Sequence, residues 1–196
     1  MSGGHRRGFT LLEIALVLVV IAVITGIGFE SYTFSMQGAA ISAGADDVNN
    51  AFSEARAAAM SQNTPVEVRF YDHALQSGAT PVYNAMQLRW YKPDKTTPAV
   101  SQVVTLSTWT VFDATSAHSS LIASTQAPTP DATDLNLNAD TRAFHFYPDG
   151  STDLAAGTTW CLTVRAATQS DPAKFPTNWA CVSVDPATGR AQVFRP

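Results

Sequence analysis

The sequence is short of basic charge, cysteine and histidine, and each shortage closes off a class of function. Lys and Arg number 12 against 16 Asp and Glu, a formal net charge of −4. Tight, unspecific binding of nucleic-acid phosphate needs clustered Lys and Arg, and an acidic chain argues against it. The four histidines, His5, His73, His118 and His145, are scattered along the chain. His145 alternates with Phe144 and Phe146, so it is expected to point outward from a strand. No Ser/His/Asp spacing, glycine-rich phosphate loop or paired carboxylates stand out, so no enzyme and no cofactor is expected. The two cysteines, Cys161 and Cys181, make neither a CxxC pair nor a Cys/His set with metal spacing, and no metal centre is expected. Asp131, Asp134 and Asp140 carry oxygens of the kind calcium takes. They lie in a Pro- and Asn-rich stretch over 125–140, for which a solvated polar loop is the simpler reading.

Charge is nearly absent from one stretch. In the 21 residues from Phe9 to Phe29 the single ionisable side chain is Glu13. At about 1.5 Å per residue such a helix spans roughly 30 Å, the thickness of a bilayer's hydrocarbon core. The run is longer than the apolar part of a secretory signal, and no small-residue cleavage site follows it. His5, Arg6 and Arg7 precede it, which predicts a cytoplasmic N-terminus and an exported remainder. Glu13 is the oddity. A carboxylate in a membrane helix costs about 2.5–3.5 kcal/mol at the bilayer centre, less near the interface, and such groups generally have a partner.

The residues Arg6-Arg7-Gly8-Phe9-Thr10-Leu11-Leu12-Glu13 resemble the prepilin peptidase motif of type IV pilins and type II secretion pseudopilins. The resemblance implies a leader over residues 1–8, cleavage after Gly8 and methylation of the new amine on Phe9. Loss of the leader would leave 10 basic against 16 acidic side chains, a net of −6. It also implies a single-pass protein of the bacterial inner membrane, assembled with other pilin or pseudopilin subunits by an inner-membrane platform. The lipid bilayer would hold it until then. The amine on Phe9 is mostly cationic at neutral pH, and Glu13 of a neighbouring subunit is expected to pair with it at low dielectric. Such a pair sets register between subunits without necessarily adding net stability.

Beyond the predicted span (9–29), residues 30–64 are expected to continue the helix in amphipathic form. Ile41, Ala45, Val48, Phe52, Ala55 and Ala59 recur at spacings of three and four, and Pro65 ends the pattern. Gly26 and Gly28 mark either a softened stretch, as in related filaments, or a place of close helix packing. Residues 65–196 read as a β-rich head. Short runs rich in Val, Thr and aromatics lie at 66–71, 86–91, 102–106, 108–113, 119–124, 142–147, 158–166, 179–184 and 190–194. Pro148-Asp149-Gly150 and residues 185–189 read as hairpin turns. The fold class is therefore α+β, a long N-terminal helix packed on an antiparallel β-rich head, as in pilins.

The segment 144–151, with residues 188–193, is similar to the GspH/FimT branch of minor subunits. In that branch some members bind DNA through a Gly-Arg-x-Arg pattern. Here Gly189-Arg190-Ala191-Gln192 lacks the second arginine, and Arg195 stands further on, so a DNA contact through Arg190 and Arg195 is disfavoured. With the head outside the cytoplasm, Cys161 and Cys181 become natural disulfide partners. A hairpin centred near Asp171 would set them opposite each other, and a loop of about 20 residues closed by a disulfide is worth about 3 kcal/mol in the chain-entropy model.

Overall fold

The computed structural model describes residues 10–73, 82–90, 99–128, 141–169 and 174–196, with backbone alone over 26–31 and at His73. The apolar run and the stretch after it form one helix, α1 (Leu11–Gln62), and Gly26 and Gly28 belong to its helical backbone. The chain divides into two compact units, Met1–Met36 and Gln37–Pro196.

In the second unit, Ile41, Ala45, Val48, Phe52, Ala55 and Ala59 are all buried, as their helical spacing predicts. The helix stops where the backbone can leave it. Asn63 takes a left-handed φ of 50°, and the Thr64 N–H reaches back to the Ala59 carbonyl at 3.3 Å. Pro65, which has no N–H to continue a helix, follows.

Among the described residues the strands form two antiparallel sheets. In the first, β1 (Val66–His73) lies between β2 (Val82–Trp90) and β6 (Thr141–Phe146), and β2 also pairs with β3 (Ala99–Val100) and β4 (Val104–Thr105). The second runs in the order β5 (Thr110–Phe112), β7 (Trp160–Ala166), β8 (Trp179–Val184), β9 (Ala191–Phe194). Register puts Val66, Val68 and Phe70 on one face with Phe144, Phe146, Met86 and Leu88. Phe52 of α1 meets that face, 5.5 Å from Phe144 and 6.4 Å from Phe70 in edge-on contacts. The second sheet contributes Trp160, Leu162, Val164, Ala180, Val182 and Val184 to the same core. Each leucine or valine side chain so removed from water is worth roughly 1.5–3 kcal/mol.

One expectation is corrected here. Residues 119–124 are not a strand: Ser120–Ala123 form a helical turn, α2. Its adjacent Leu121 and Ile122 are both buried, which a strand with period-two alternation would not allow on one face. Pro148–Gly150 turn the chain as expected, in a short antiparallel hairpin bridged at Phe146 and Thr152, after which the chain crosses to the other sheet. Residues 185–189 do join two paired strands, β8 and β9.

Candidate functional site

Gly8 and Phe9 lie outside the described residues, which begin at Thr10. Thr10 caps α1. Its hydroxyl accepts the Glu13 N–H at 3.2 Å, and its carbonyl accepts the N–H groups of Glu13 and Ile14. Thr10-Leu11-Leu12-Glu13 is thus a capping-box spacing, with the carboxylate in the first turn, where the helix dipole favours negative charge. The same four residues lie within the peptidase motif, so one stretch of sequence carries both the helix cap and the processing signal.

After the cap, every large apolar side chain from Leu11 to Ile24 is exposed, from 49 to 87%. The Thr25 hydroxyl donates to the Ile21 carbonyl, so even this polar group is satisfied within the helix. An apolar sleeve of this kind needs cover from lipid or other helices. Among the described residues no helix is long and apolar enough to cross a membrane, and the span predicted over 9–29 has both ends, Phe9 and residues 26–29, outside the described side chains.

In the head, the face of the first sheet turned away from α1 carries a buried ionic cluster. Glu67 of β1 stands opposite Arg89 of β2 and His145 of β6. Its carboxylate is 2.5 Å from Arg69 Nε and 3.4 Å from His145 Nε2. Asp153 takes the His145 backbone N–H at 2.8 Å and its Nδ1 at 2.7 Å. Burial works to raise the Glu67 carboxyl, but hydrogen bonds from His145 and Arg69 outweigh it and hold the group below its ordinary value. His145 is raised to about 9 by its hydrogen bonds to Asp153 and Glu67, so it is cationic at neutral pH. His145 does point away from the phenylalanines beside it, as expected. Its partners were not expected.

Cys161 and Cys181 lie on the outward face of the second sheet, both half-buried and both free thiols. The pairing is offset by two residues from the expected register, which keeps the faces: Cys161 opposes Ser183 and Cys181 opposes Thr163. The cysteines are therefore diagonal neighbours. Leu162 and Val164 do share a face with Val182 and Val184. On the other side of β7, β5 pairs with residues 164–166, and before that two serines take the place of a neighbouring strand. Ser120 Oγ accepts the Cys161 N–H and Ser119 Oγ accepts the Thr163 N–H, each at 2.9 Å. Beside them Asp113 holds His118 Nδ1 at 3.0 Å and Arg165 Nε at 3.3 Å.

The two C-terminal arginines differ. Arg195 reaches the Ser42 hydroxyl at 2.8 Å and Asp46 at 3.1 Å on α1, so its guanidinium is engaged within the chain. Arg190 is exposed after the turn and lines a small polar hollow with Ser183, Asp185, Thr188 and Gln192. That turn is itself clamped. Arg56 Nε donates to the Thr188 carbonyl at 2.7 Å, and Gly189 lies against the Gly150 carbonyl. The two segments singled out as GspH/FimT-like, 144–151 and 188–193, are brought together here. Asp131, Asp134 and Asp140 lie outside the described residues, and among those described no three His, Cys, Asp or Glu converge as a metal site.

Comparison with known families agrees with this arrangement. Residues 4–29 match the prokaryotic N-terminal methylation motif, and residues 44–187 match the type II transport protein GspH. A methylation motif at the head of a helix that enters an α+β head defines a type IV pilin-like subunit. Within that class, the chain belongs to the GspH family. Neither the curated proteins nor the solved structures returned a match.

Proposed function

We propose that the chain is a minor pseudopilin of a type II protein secretion system. It is a structural subunit: prepilin peptidase clips it after Gly8 and methylates Phe9, and the inner membrane holds it with its N-terminus cytoplasmic and its head periplasmic. An assembly platform then takes it into the pseudopilus beside other subunits. The observation that carries this reading is the uncovered apolar sleeve with its single carboxylate, Glu13, at the start of a helix whose later turns enter a GspH-type head. Sister helices supply the cover that lipid gave before, and a neighbour's Phe9 amine supplies a cation, which Glu13 does not meet among the described residues.

The test is exoprotein secretion in a deletion strain complemented by wild type and by Glu13→Ala. Secretion restored by the wild type alone supports both the system and the role of Glu13. Restoration by both would sink the pairing argument. Unchanged secretion in the deletion strain would move the subunit to a type IV pilus, where piliation and DNA uptake become the functions to measure. Exposed Arg190 favours that second reading, while the engagement of Arg195 with Asp46 weakens it.

A further inference from the structure

Contacts along α1 give the head an entry end and a far end. A Cβ on Gly38 would stand 3.5 Å from Asn178 Nδ2, and Arg195 reaches the Ser42 hydroxyl at 2.8 Å. Arg56, roughly 21 Å further along the helix than Ser42, holds the Thr188 carbonyl instead. The start of β8 and the finish of β9 therefore lie where the chain enters the head, and the turn between them lies at the far end. Trp160, opposite Val184, belongs to the far end. So does Trp90, opposite Val66, because β1 starts directly after α1 finishes.

Exposed aromatic side chains gather at the entry end. Trp109, whose carbonyl accepts the Ala167 N–H at 2.8 Å, is 52% exposed, and Phe175 and Phe194 are each 50% exposed. Phe175 packs edge-on against the partly exposed Trp179, ring centroids 5.0 Å apart. Lys174, next to Phe175 in the chain, is exposed as well. Among the described residues the far end has one large exposed aromatic, Tyr147.

The chain itself indicates what covers this rim. Phe29, where the uncharged run finishes, stands eight residues before Gln37, about 12 Å as helix. The headgroup layer on either face of a bilayer is roughly 5–8 Å deep. Along the stretch between, Tyr32, Phe34 and Met36 are exposed, so apolar surface continues towards the head. Aromatic rings concentrate at this level of a membrane because they have an apolar body and, in Trp and Tyr, a polar edge for the headgroups. A net charge of −4 gives the head no general attraction to anionic lipid, so aromatic burial has to carry the contact.

We propose that the entry end of the head is a membrane-seating surface, with Trp109, Phe175, Trp179 and Phe194 set into the headgroup layer on the periplasmic face. Assembly then has to lift this rim off lipid as well as draw the helix out. The inference rests on the membrane-held subunit proposed above and adds a second lipid contact to it.

The test uses the full chain reconstituted in phosphatidylcholine vesicles whose acyl chains carry bromine close to the headgroup, where it quenches indole emission on contact. The tryptophans supply their own control, two at the entry end and two at the far end. The expected result is a loss of emission relative to plain vesicles, insensitive to salt, and abolished in Trp109→Phe/Trp179→Phe. Phenylalanine keeps an apolar ring at each site, so the reporters are lost while the surface stays apolar. Flotation of the same vesicles separates the two readings. A wild-type chain that floats with the lipid but keeps its full emission overturns the seating and leaves the anchor standing. A chain that does not float overturns the anchor, and the seating with it. Loss that persists in the double variant would place the far end on lipid. Emission shielded from aqueous iodide yet untouched by bromine would mean that sister heads cover the rim. Either result overturns the proposal.

Discussion

His145 is held between two carboxylates, and the consequence is a stability that depends on pH in a particular window. Its pKa is raised from 6.5 in the unfolded chain to about 9 in the fold. A raised basic group stabilises the fold fully below the unfolded value, and that contribution is lost as pH rises through the folded value. The window is therefore pH 6.5 to 9. With its side chain 36% exposed, solvent screening limits the effect to about 1 kcal/mol. The wild type should melt about 2–4 °C lower at pH 9.5 than at pH 6.5 relative to His145→Gln, which lacks the titration. Parallel melting curves of the two chains across that range would show that His145 carries no such linkage. At this scale the sequence was partly legible. Alternation with Phe144 and Phe146 was enough to orient His145, because period two is local. That Glu67 and Asp153 would meet it depends on the pairing of β1 with β6 and on the bridge after the Pro148 turn, neither of which is written in a local pattern.

Among the elements, the β8–β9 turn is the one most constrained by distant parts of the chain. Gly189 has φ +60°, and a Cβ there would collide with the Gly150 carbonyl and press on the Phe146 ring. Gly157 has φ +82° but nothing within 4 Å of a Cβ. The two glycines separate backbone strain from collision. Gly157→Ala should cost about 1 kcal/mol from the left-handed backbone alone, and Gly189→Ala at least ~2 kcal/mol, a fall in melting temperature of about 4–8 °C. Equal losses would mean that the close approach to Gly150 is unimportant. The helix face was readable residue by residue, since its 3.6-residue period is complete within α1. The stretch 119–124 reads as a strand only from its short apolar run Leu121-Ile122-Ala123, a signal that does not tell a strand from a buried helical turn. What decides the matter is tertiary: the serine hydroxyls are needed to satisfy β7, and a helical turn lets both apolar residues reach the core. The cysteine register differs by two residues for a related reason, since the long connection between β7 and β8 carries several turn residues, Asp171-Pro172 and Pro176 among them, and so fixes no single hairpin centre.

For the whole molecule, the division at Met36 separates two kinds of surface. The described large apolar side chains up to Ile24 are uncovered, whereas the hydrophobic core begins at Ile41 and draws only on the second unit. A chain of residues 37–196 should therefore fold and sediment as a monomer in plain buffer, while the full chain should need detergent. Aggregation of the shorter chain would show that the head depends on the first unit for cover. The broad class was legible at this scale because the leader, the uncharged run and its one carboxylate are all local signals. The two-sheet division of the head was not, since it rests on which distant strands pair. The head also has a timetable. Arg195 is bonded to Ser42 and Asp46, and β9, the edge strand, supplies the final paired residues. Arg195 and Ser42 are 153 residues apart in sequence, and a contact so distant forms only after everything between them has been made. The β8–β9 edge is thus a late-closing side of the head, and a chain arrested before β9 leaves β8 as an unpaired edge.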